Sequence, residues 1–301
     1  MSSKRYTLAQ WLKHAEAGFS QQTQWRVPGV HDQSPRLEAQ WLLAAALEKN
    51  IAWLMTWPER ELTAAQLQRA EAWLARRLCG EPLSLLRGEH EFWSLPLSVT
   101  ADTLVPRADS ERLVEVALER MAQMNLSAPA ILDLGTGSGA IALALAHSLP
   151  QASVHAVDCS AAALAVAESN GRQLAITVQW SLGHWFDAVA VERFHLIVSN
   201  PPYLAEDDPH MAQLTFEPRS ALVAASNGLA DLLHLVTAAP GHLHAQGWLL
   251  LEHGATQASA VRDALQRRGF QQVQSWQDLG GQDRVSGGQW CATGESSHAD
   301  G

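Results

Sequence analysis

Short apolar runs alternate with helical segments after residue 110, and this alternation constrains the fold more than any other feature of the sequence. The apolar runs predict buried strands at residues 131–134, 154–158, 196–199 and 248–252. The segments after two of these runs predict helices at residues 140–149 and 161–170. Strands that alternate with helices form a mainly parallel sheet that is covered on both faces. We therefore expect an α/β domain over residues 109–294, followed by a disordered polar tail at residues 295–301.

The start of the chain, in contrast, predicts helices only. Thr7 and Ser34 are suited to N-cap positions ahead of apolar residues at helical spacing, and Thr63 opens a capping-box pattern, Thr-Ala-Ala-Gln. We therefore expect a small all-α domain over residues 1–85. Apolar residues among Gly, Pro and Thr at residues 86–108 predict a β-hairpin that links the two domains. A substrate-positioning role and a purely stabilising role both remain open for the helical domain.

A glycine-rich segment, Asp-Leu-Gly-Thr-Gly-Ser-Gly, lies between the first predicted strand and the next helix. Glycines at such a turn let the backbone approach a ligand closely, and Asp158 ends the next strand, where a carboxylate can bind ribose hydroxyls. The glycine spacing differs from that of dinucleotide-binding folds, and no Gly-Lys-Ser/Thr phosphate loop occurs. An adenosine ligand without a pyrophosphate is therefore favoured over a plain turn, and S-adenosylmethionine is the common one. The candidate cofactor residues are Asp133, Gly135, Thr136, Gly137, Ser138, Gly139 and Asp158.

The motif Ser-Asn-Pro-Pro-Tyr directly follows the predicted strand at residues 196–199. Two prolines fix φ and remove two backbone donors, so that rigid carbonyls are free to accept hydrogen bonds. If Asn200 Oδ1 and the Pro201 carbonyl accept both N–H bonds of a planar NH2 group, its nitrogen lone pair can point at a sulfonium methyl group. Catalysis would then depend on orientation and electrostatics, without a strong base. The candidate catalytic residues are Asn200, Pro201, Pro202 and Tyr203, the last as a stacking face.

The loop before that strand carries His184 and Trp185. Its position along the chain predicts that it lies beside the adenine, where Trp185 could pack on the base. Because the chain has 12 tryptophans and most of them must be structural, a core position for Trp185 is the alternative interpretation.

Composition excludes several functional classes. A net charge of −10 makes the chain a poor non-specific binder of nucleic acid. Its three cysteines are far apart, and neither a zinc motif nor a disulfide framework is present, so we expect no metal. No apolar run reaches the roughly 18 residues of a membrane helix, and the start lacks the apolar region of a secretory signal. We therefore expect a cytoplasmic protein without a membrane segment.

Taken together, these residues resemble the PrmC/HemK family of protein N5-glutamine methyltransferases over nearly the whole chain. The resemblance rests on the glycine loop, on Asn-Pro-Pro-Tyr, and on the hairpin sequence Glu-Phe-Trp-Ser-Leu-Pro-Leu at residues 91–97. Leu-Val-Pro-Arg at residues 104–107, followed by Asp109 and Glu111, also matches, as do Phe-Glu-Pro at 216–218 and Leu-Leu-Leu-Glu-His-Gly at 249–254. Adenine-N6 DNA methyltransferases share Asn-Pro-Pro-Tyr alone, so the helical domain and the hairpin are the more specific features.

The resemblance implies a class I S-adenosylmethionine-dependent methyltransferase domain, Rossmann-like, with a seven-stranded and mainly parallel sheet. It implies methylation of the glutamine in the Gly-Gly-Gln loop of class I peptide chain release factors, which tunes translation termination and yields S-adenosylhomocysteine. Cofactor contacts are implied at the glycine loop, Asp158, His184, Trp185 and Asn200. Substrate contacts are implied at Asn200, Pro201, Pro202 and Tyr203, with Phe92 and Arg107 near the domain junction.

One departure concerns the adenine contact, because family members usually have an acidic residue where this chain has His184. A neutral imidazole can still accept a hydrogen bond from the adenine amino group, whereas a protonated one cannot. We therefore predict weaker cofactor binding at acid pH.

Three alternative functions remain open at this point. A glutamine methyltransferase for a large-subunit ribosomal protein would share the motif, although residues 107–111 are more like the release-factor group. A DNA adenine methyltransferase is disfavoured by the net charge and by the absence of an obvious basic target-recognition segment. A non-catalytic sensor of S-adenosylmethionine or of a release factor is disfavoured by the intact Asn200 motif. We expect a monomer that does not bind nucleic acid directly.

Overall fold

The computed structural model describes residues 6–26 and 34–291. The described residues form two compact units: one extends to Glu89 and includes Pro209–Phe216, and the other comprises His90–Asp208 and the residues from Glu217 onward. The expected tail at residues 295–301 lies outside the described residues. No helix within the described ranges is long and apolar enough to cross a membrane.

The first unit is helical, as the sequence predicts. Its helices are α1 (Leu8–Gln21), α2 (Pro35–Leu47), α3 (Ile51–Thr56), α4 (Ala64–Leu78) and α5 (Leu83–Arg87). The predicted N-caps are confirmed, because the side chains of Thr7, Ser34 and Thr63 each accept a hydrogen bond from the third backbone amide of the helix that follows. Trp11, Phe19 and Trp25 are at most 1% exposed and form much of its core.

A buried ion pair joins two helices of this unit. Arg77 Nε on α4 lies 2.6 Å from Glu38 Oε1 on α2, and the Arg77 guanidinium also donates to the Trp25 carbonyl. Both side chains are almost fully buried. Because an unpaired buried charge is costly, each of the two residues needs the other for the unit to be stable.

The predicted hairpin is present as two short strands, β1 (Glu89–Phe92) and β2 (Leu95–Ser98). Trp93 and Ser94 at its turn both have positive φ angles, 54° and 59°. This two-residue turn matches the right-handed twist of the strands. Trp93 is further held by its backbone amide, which donates to Glu111 Oε1 at 2.9 Å.

The second unit contains the expected seven-stranded sheet, in the order β5-β4-β3-β6-β7-β9-β8. Its strands are β3 (Ala130–Leu134), β4 (Ser153–Asp158), β5 (Gln179–Leu182), β6 (Phe194–Ser199), β7 (Leu243–Glu252), β8 (Gln271–Gln277) and β9 (Asp283–Gln289). The first five strands of the sheet are parallel, and β9 pairs antiparallel with β7 and β8. The four strands predicted from apolar runs are confirmed.

Helices cover both faces of the sheet, which explains why its central strands are mainly apolar. The helices of this unit are α6 (Ala108–Met124), α7 (Ala140–Ser148), α8 (Ala161–Leu174), the single turn α9 (Ala225–Gly228), α10 (Ala230–Ala238) and α11 (Ala258–Arg268). Ile131 belongs to the core cluster of α6 and α7, whereas its neighbour Leu132 belongs to that of α10 and α11. Successive residues of a strand thus face opposite layers.

The chain reverses direction across the sheet at β3, which lies between β4 and β6. The loops that follow β3 and β6 therefore diverge and leave a crevice at the carboxyl ends of the strands. Ligands bind at this place in open parallel sheets.

Candidate active site

A cavity of about 390 Å³ opens at this crevice, and the described residues that line it all belong to the second unit. Its volume lies within the range of small-molecule sites. Ten of the predicted site residues line it: Phe92, Gly135, Thr136, Gly137, Ser138, Asp158, His184, Trp185, Asn200 and Pro202. Asp133, Gly139, Arg107, Pro201 and Tyr203 do not line it. The structure thus brings the glycine loop, the end of β4 and the Asn-Pro-Pro-Tyr motif around one space.

The glycine loop is shaped for close approach of a ligand. Gly137 has a φ of +57°, and a Cβ placed there would meet no atom within 4 Å, so this side of the loop is open. At Gly139 a Cβ would lie 3.0 Å from the Trp180 ring and 3.1 Å from Ala167 Cβ. Gly137 therefore leaves room for a ligand, and Gly139 lets α7 start close to α8 and β5.

Asp158 braces the loop and still offers hydrogen-bonding capacity. Its two carboxylate oxygens accept from the backbone amides of Gly137 and Ser160, each at 2.8 Å. A carboxylate oxygen has a second lone-pair site, so Asp158 can also accept from the hydroxyls of a ribose. The backbone bonds fix the carboxylate in place for this contact.

Trp185 forms another wall of the cavity. Its ring lies against the glycine loop, 3.3 Å from the position that a Cβ on Gly135 would take. The indole Nε1 is buried and has no hydrogen-bond partner among the described residues. The His184 ring meets the indole edge-on, with 5.5 Å between the ring centroids. A planar ligand in the cavity would lie beside these two rings, both of which line it.

Asn200 is oriented by a residue that the sequence analysis did not single out. Its Nδ2 donates to Ser110 Oγ at 3.1 Å. Because the NH2 end of the amide is used in this bond, Oδ1 is the end that the side chain can offer to a ligand. Ser110 is nearly buried in the first turn of α6 and also lines the cavity.

Tyr203 lies behind the cavity lining. Its hydroxyl is 3.4 Å from Glu252 Oε1 at the end of β7, and its carbonyl accepts from Gln257 Nε2 at 3.0 Å. Burial raises the pKa of the Tyr203 hydroxyl above its usual range and raises the pKa of Glu252 to about 7. These two hydrogen bonds anchor Tyr203, the last residue of the Asn-Pro-Pro-Tyr motif, to Glu252 and Gln257. The predicted stacking role of Tyr203 stays a prediction.

Asp133 supports the glycine loop from beneath. Thr136 Oγ1 donates to Asp133 Oδ2 at 2.6 Å, and the carboxyl group is 1% exposed. Burial raises the pKa of Asp133 to about 7. Asp133 therefore supports the glycine loop in the structure, and its direct contact with a cofactor stays a prediction.

The two predicted substrate residues outside the motif are placed differently. Phe92 is 1% exposed and reaches the cavity from β1. Arg107 pairs with the buried Glu217 at 2.6 Å, and Glu217 also accepts from the Val105 amide. The partner of Arg107 is thus Glu217, which belongs to the Phe-Glu-Pro segment of the family resemblance.

Asn170 is a further residue that the sequence analysis missed. It is fully buried on α8, and its Nδ2 donates to the carbonyls of Ser138 in the glycine loop and Ser98 in the hairpin, at 2.9 and 3.0 Å. Its Oδ1 accepts from the Ser98 amide. No local pattern marks a residue whose partners are 32 and 72 positions away.

The fold and the site define a class I methyltransferase. A "Methyltransferase small domain" family matches residues 114–274, and a "PrmC N-terminal domain" family matches residues 10–88. Among solved structures, the Thermus thermophilus 16S rRNA N2 G1207 methyltransferase, in complex with AdoMet and guanosine, shares the fold. Its TM-score is 0.50 at 19% identity, over 67% of this chain and 49% of that one.

The family can be stated more closely from curated relatives. The release factor glutamine methyltransferase of Vibrio cholerae is 49% identical over 85% of this chain and 90% of its own length. The enzyme of the same name from Yersinia pestis is 47% identical over 93% of this chain and 98% of its own length. The chain belongs to the family of release factor glutamine methyltransferases.

Proposed function

We propose that this enzyme transfers a methyl group from S-adenosylmethionine to the side-chain amide nitrogen of the glutamine in the Gly-Gly-Gln loop of class I peptide chain release factors. The observation that carries the proposal is the Asn200 amide, whose NH2 end is anchored on Ser110 and whose Oδ1 can therefore face a substrate amide. Family membership supports the same substrate class.

The residues around the cavity fit S-adenosylmethionine. The open side of Gly137 gives room for close approach, Asp158 can accept from the ribose hydroxyls, and the rings of Trp185 and His184 line the cavity. When bound, the cofactor supplies an electrophilic methyl group on a sulfonium sulfur. No metal is required by this chemistry.

The substrate amide would be held by two acceptors, Asn200 Oδ1 and the Pro201 carbonyl. An amide nitrogen is a poor nucleophile because its lone pair is delocalised, so its orientation decides whether it reacts. With both N–H bonds accepted, Asn200 and Pro201 would orient the nitrogen lone pair toward the methyl group that the cofactor would supply. A new N–C bond would then replace the S–C bond, whose electron pair would stay on sulfur, and the nitrogen would lose one proton to solvent. The acceptors also stabilise the positive charge that develops on the nitrogen.

The proposal extends to partners and location. We expect the release factor to be the protein partner, a monomeric enzyme in the cytoplasm, and no direct contact with nucleic acid. The net charge of −10 supports the last point, because phosphate contacts supply most non-specific affinity for nucleic acid.

Methyl transfer from labelled S-adenosylmethionine tests the proposal. The acceptors are an unmethylated class I release factor, the same factor with its Gly-Gly-Gln glutamine replaced by alanine, and duplex DNA. We expect label on the first factor alone, and we expect Asn200→Ala to lose turnover while still binding the cofactor. Label on DNA would support the adenine methyltransferase instead. Tight cofactor binding without turnover on any acceptor would support a different protein substrate or a sensor.

A further inference from the structure

Asn170 joins two separate parts of the cavity wall in the second unit. It is fully buried on α8, and both polar atoms of its side chain bond to backbone groups. Its Oδ1 accepts from the Ser98 amide at 2.8 Å. Its Nδ2 donates to the Ser98 carbonyl at 3.0 Å and to the Ser138 carbonyl at 2.9 Å. Because a side-chain NH2 group has two N–H bonds, these two carbonyls use both of them.

The first part of the wall is the hairpin with the residues that follow it. Phe92 lines the cavity ahead of Ser98 in the chain, and residues 102–104 line it after Ser98. We call residues 92–104 the hairpin wall. A two-stranded hairpin is only marginally stable by itself, so its position depends on contacts with the rest of the unit. The bonds from Asn170 to both backbone groups of Ser98 fix the end of β2 on α8, in the middle of this wall.

The second part of the wall is the glycine loop. Ser138 lines the cavity and is 3% exposed, so its carbonyl needs a partner from the protein, and Asn170 provides one. The same helix supports the next residue of the loop. A Cβ on Gly139 would lie 3.1 Å from Ala167 Cβ, and Ala167 is one helical turn before Asn170 on α8. The helix α8 is therefore a common base for the glycine loop and the hairpin wall.

We propose that Asn170 is a positioning residue that holds the glycine loop and the hairpin wall at the spacing that S-adenosylmethionine needs. The inference deepens the proposed function, because it rests on S-adenosylmethionine being the ligand of this cavity. Asn170 is not among the described residues that line the cavity, so it acts through the two backbone segments that it joins. Such coupling is reciprocal: if the position of the hairpin wall favours cofactor binding, a bound cofactor must favour that position of the wall.

Calorimetry of the full-length enzyme and its variants with S-adenosylmethionine tests the proposal, at a temperature where circular dichroism shows each variant to be folded. We expect Asn170→Ala to weaken binding by about tenfold or more, because the buried Ser138 carbonyl and both Ser98 groups lose their partner. Asn170→Leu has as many side-chain heavy atoms as the wild type but none of the hydrogen bonds, and it should weaken binding as much. With release factor saturating, both variants should raise the KM for S-adenosylmethionine more than they lower kcat. A residue that only stabilised the fold would leave the affinity of the folded enzyme unchanged.

The matched control is Gln173→Ala on the same helix. Gln173 is exposed, and its Oε1 accepts from the side-chain hydroxyl of Ser98 at 3.4 Å. This variant removes a contact between α8 and the same hairpin residue without changing the bonds of Asn170. It should change S-adenosylmethionine affinity by less than about threefold, as expected for a surface substitution.

The wild type gives a second test that does not depend on the folding of a variant. Hydrogen–deuterium exchange resolved to single amides should be slower at Ser98 with S-adenosylmethionine than without it, although Ser98 is not among the described cavity-lining residues. Exchange at Ser98 that is the same in both conditions, or an Asn170→Leu enzyme with wild-type affinity, would overturn the inference. A wild type that gives the expected affinities and exchange but does not methylate the release factor would overturn the proposed function and leave this inference standing.

Discussion

Replacing Glu252 by glutamine should stabilise the protein at alkaline pH and change its stability little at acid pH. Burial raises the pKa of this carboxyl from 4.5 to about 7 in the folded chain. Between these two values the unfolded chain has released the proton and the folded chain still holds it. The contribution of Glu252 to the free energy of unfolding is therefore largest at low pH and is lost as pH rises through about 7.

The magnitude follows from the two pKa values. Each unit between the two pKa values is worth about 1.36 kcal/mol, and the range from pH 5 to pH 8.5 covers roughly two of these units. The free energy of unfolding of the wild type should therefore fall by about 2–3 kcal/mol over this range through this group alone. Glutamine has no charge to bury, so Glu252→Gln lacks this fall. Asp133, whose pKa burial also raises to about 7, contributes equally to both proteins and cancels in the comparison.

The assay is urea denaturation followed by far-UV circular dichroism at pH 5 and pH 8.5, for the wild type and Glu252→Gln. Glu168→Gln is the control, because that carboxylate is 42% exposed and its ion pair with Arg172 is at the surface. The control should change stability by less than about 0.5 kcal/mol at either pH. If the difference between wild type and Glu252→Gln is the same at both pH values, the buried charge is not the cause and the reasoning fails.

Three further predictions concern other residues. Gly137→Ala should lower the free energy of unfolding by about 1 kcal/mol, because alanine is strained at a φ of +57°. The same variant should weaken S-adenosylmethionine binding in calorimetry. Gly241 has free space around it and no positive φ, so Gly241→Ala should change neither quantity. Arg77→Met should cost about 3–5 kcal/mol in urea denaturation by leaving Glu38 buried and unpaired. Arg69→Met, which breaks an exposed pair with Glu48, should cost less than about 1 kcal/mol. His184→Phe should weaken S-adenosylmethionine binding in calorimetry, whereas His184→Gln, which keeps an acceptor oxygen, should preserve it. Equal affinity of His184→Phe and the wild type would refute the adenine contact.

The sequence predicted those parts of the fold that depend on residues close together in the chain. Thr7 and Thr63 bond to amides three residues away, so the capping pattern can be recognised within four residues. The central strands are apolar on both faces, and the parallel sheet follows from their alternation with helices. β5, β8 and β9 were not placed individually. β5 and β8 are the edge strands of the sheet and carry polar residues such as Gln179 and Gln271, and β9 (Asp283–Gln289) contains polar residues and two glycines.

The same distinction between short-range and long-range contacts applies to the site residues. Gly137 and Asn200 could be identified because each belongs to a motif of a few consecutive residues, the glycine-rich loop and Asn-Pro-Pro-Tyr. Ser110 could not, since its role depends on a contact with Asn200 that spans 90 positions of the chain. Arg107 was identified, but the sequence did not reveal that Glu217, 110 positions away, holds its guanidinium in an ion pair.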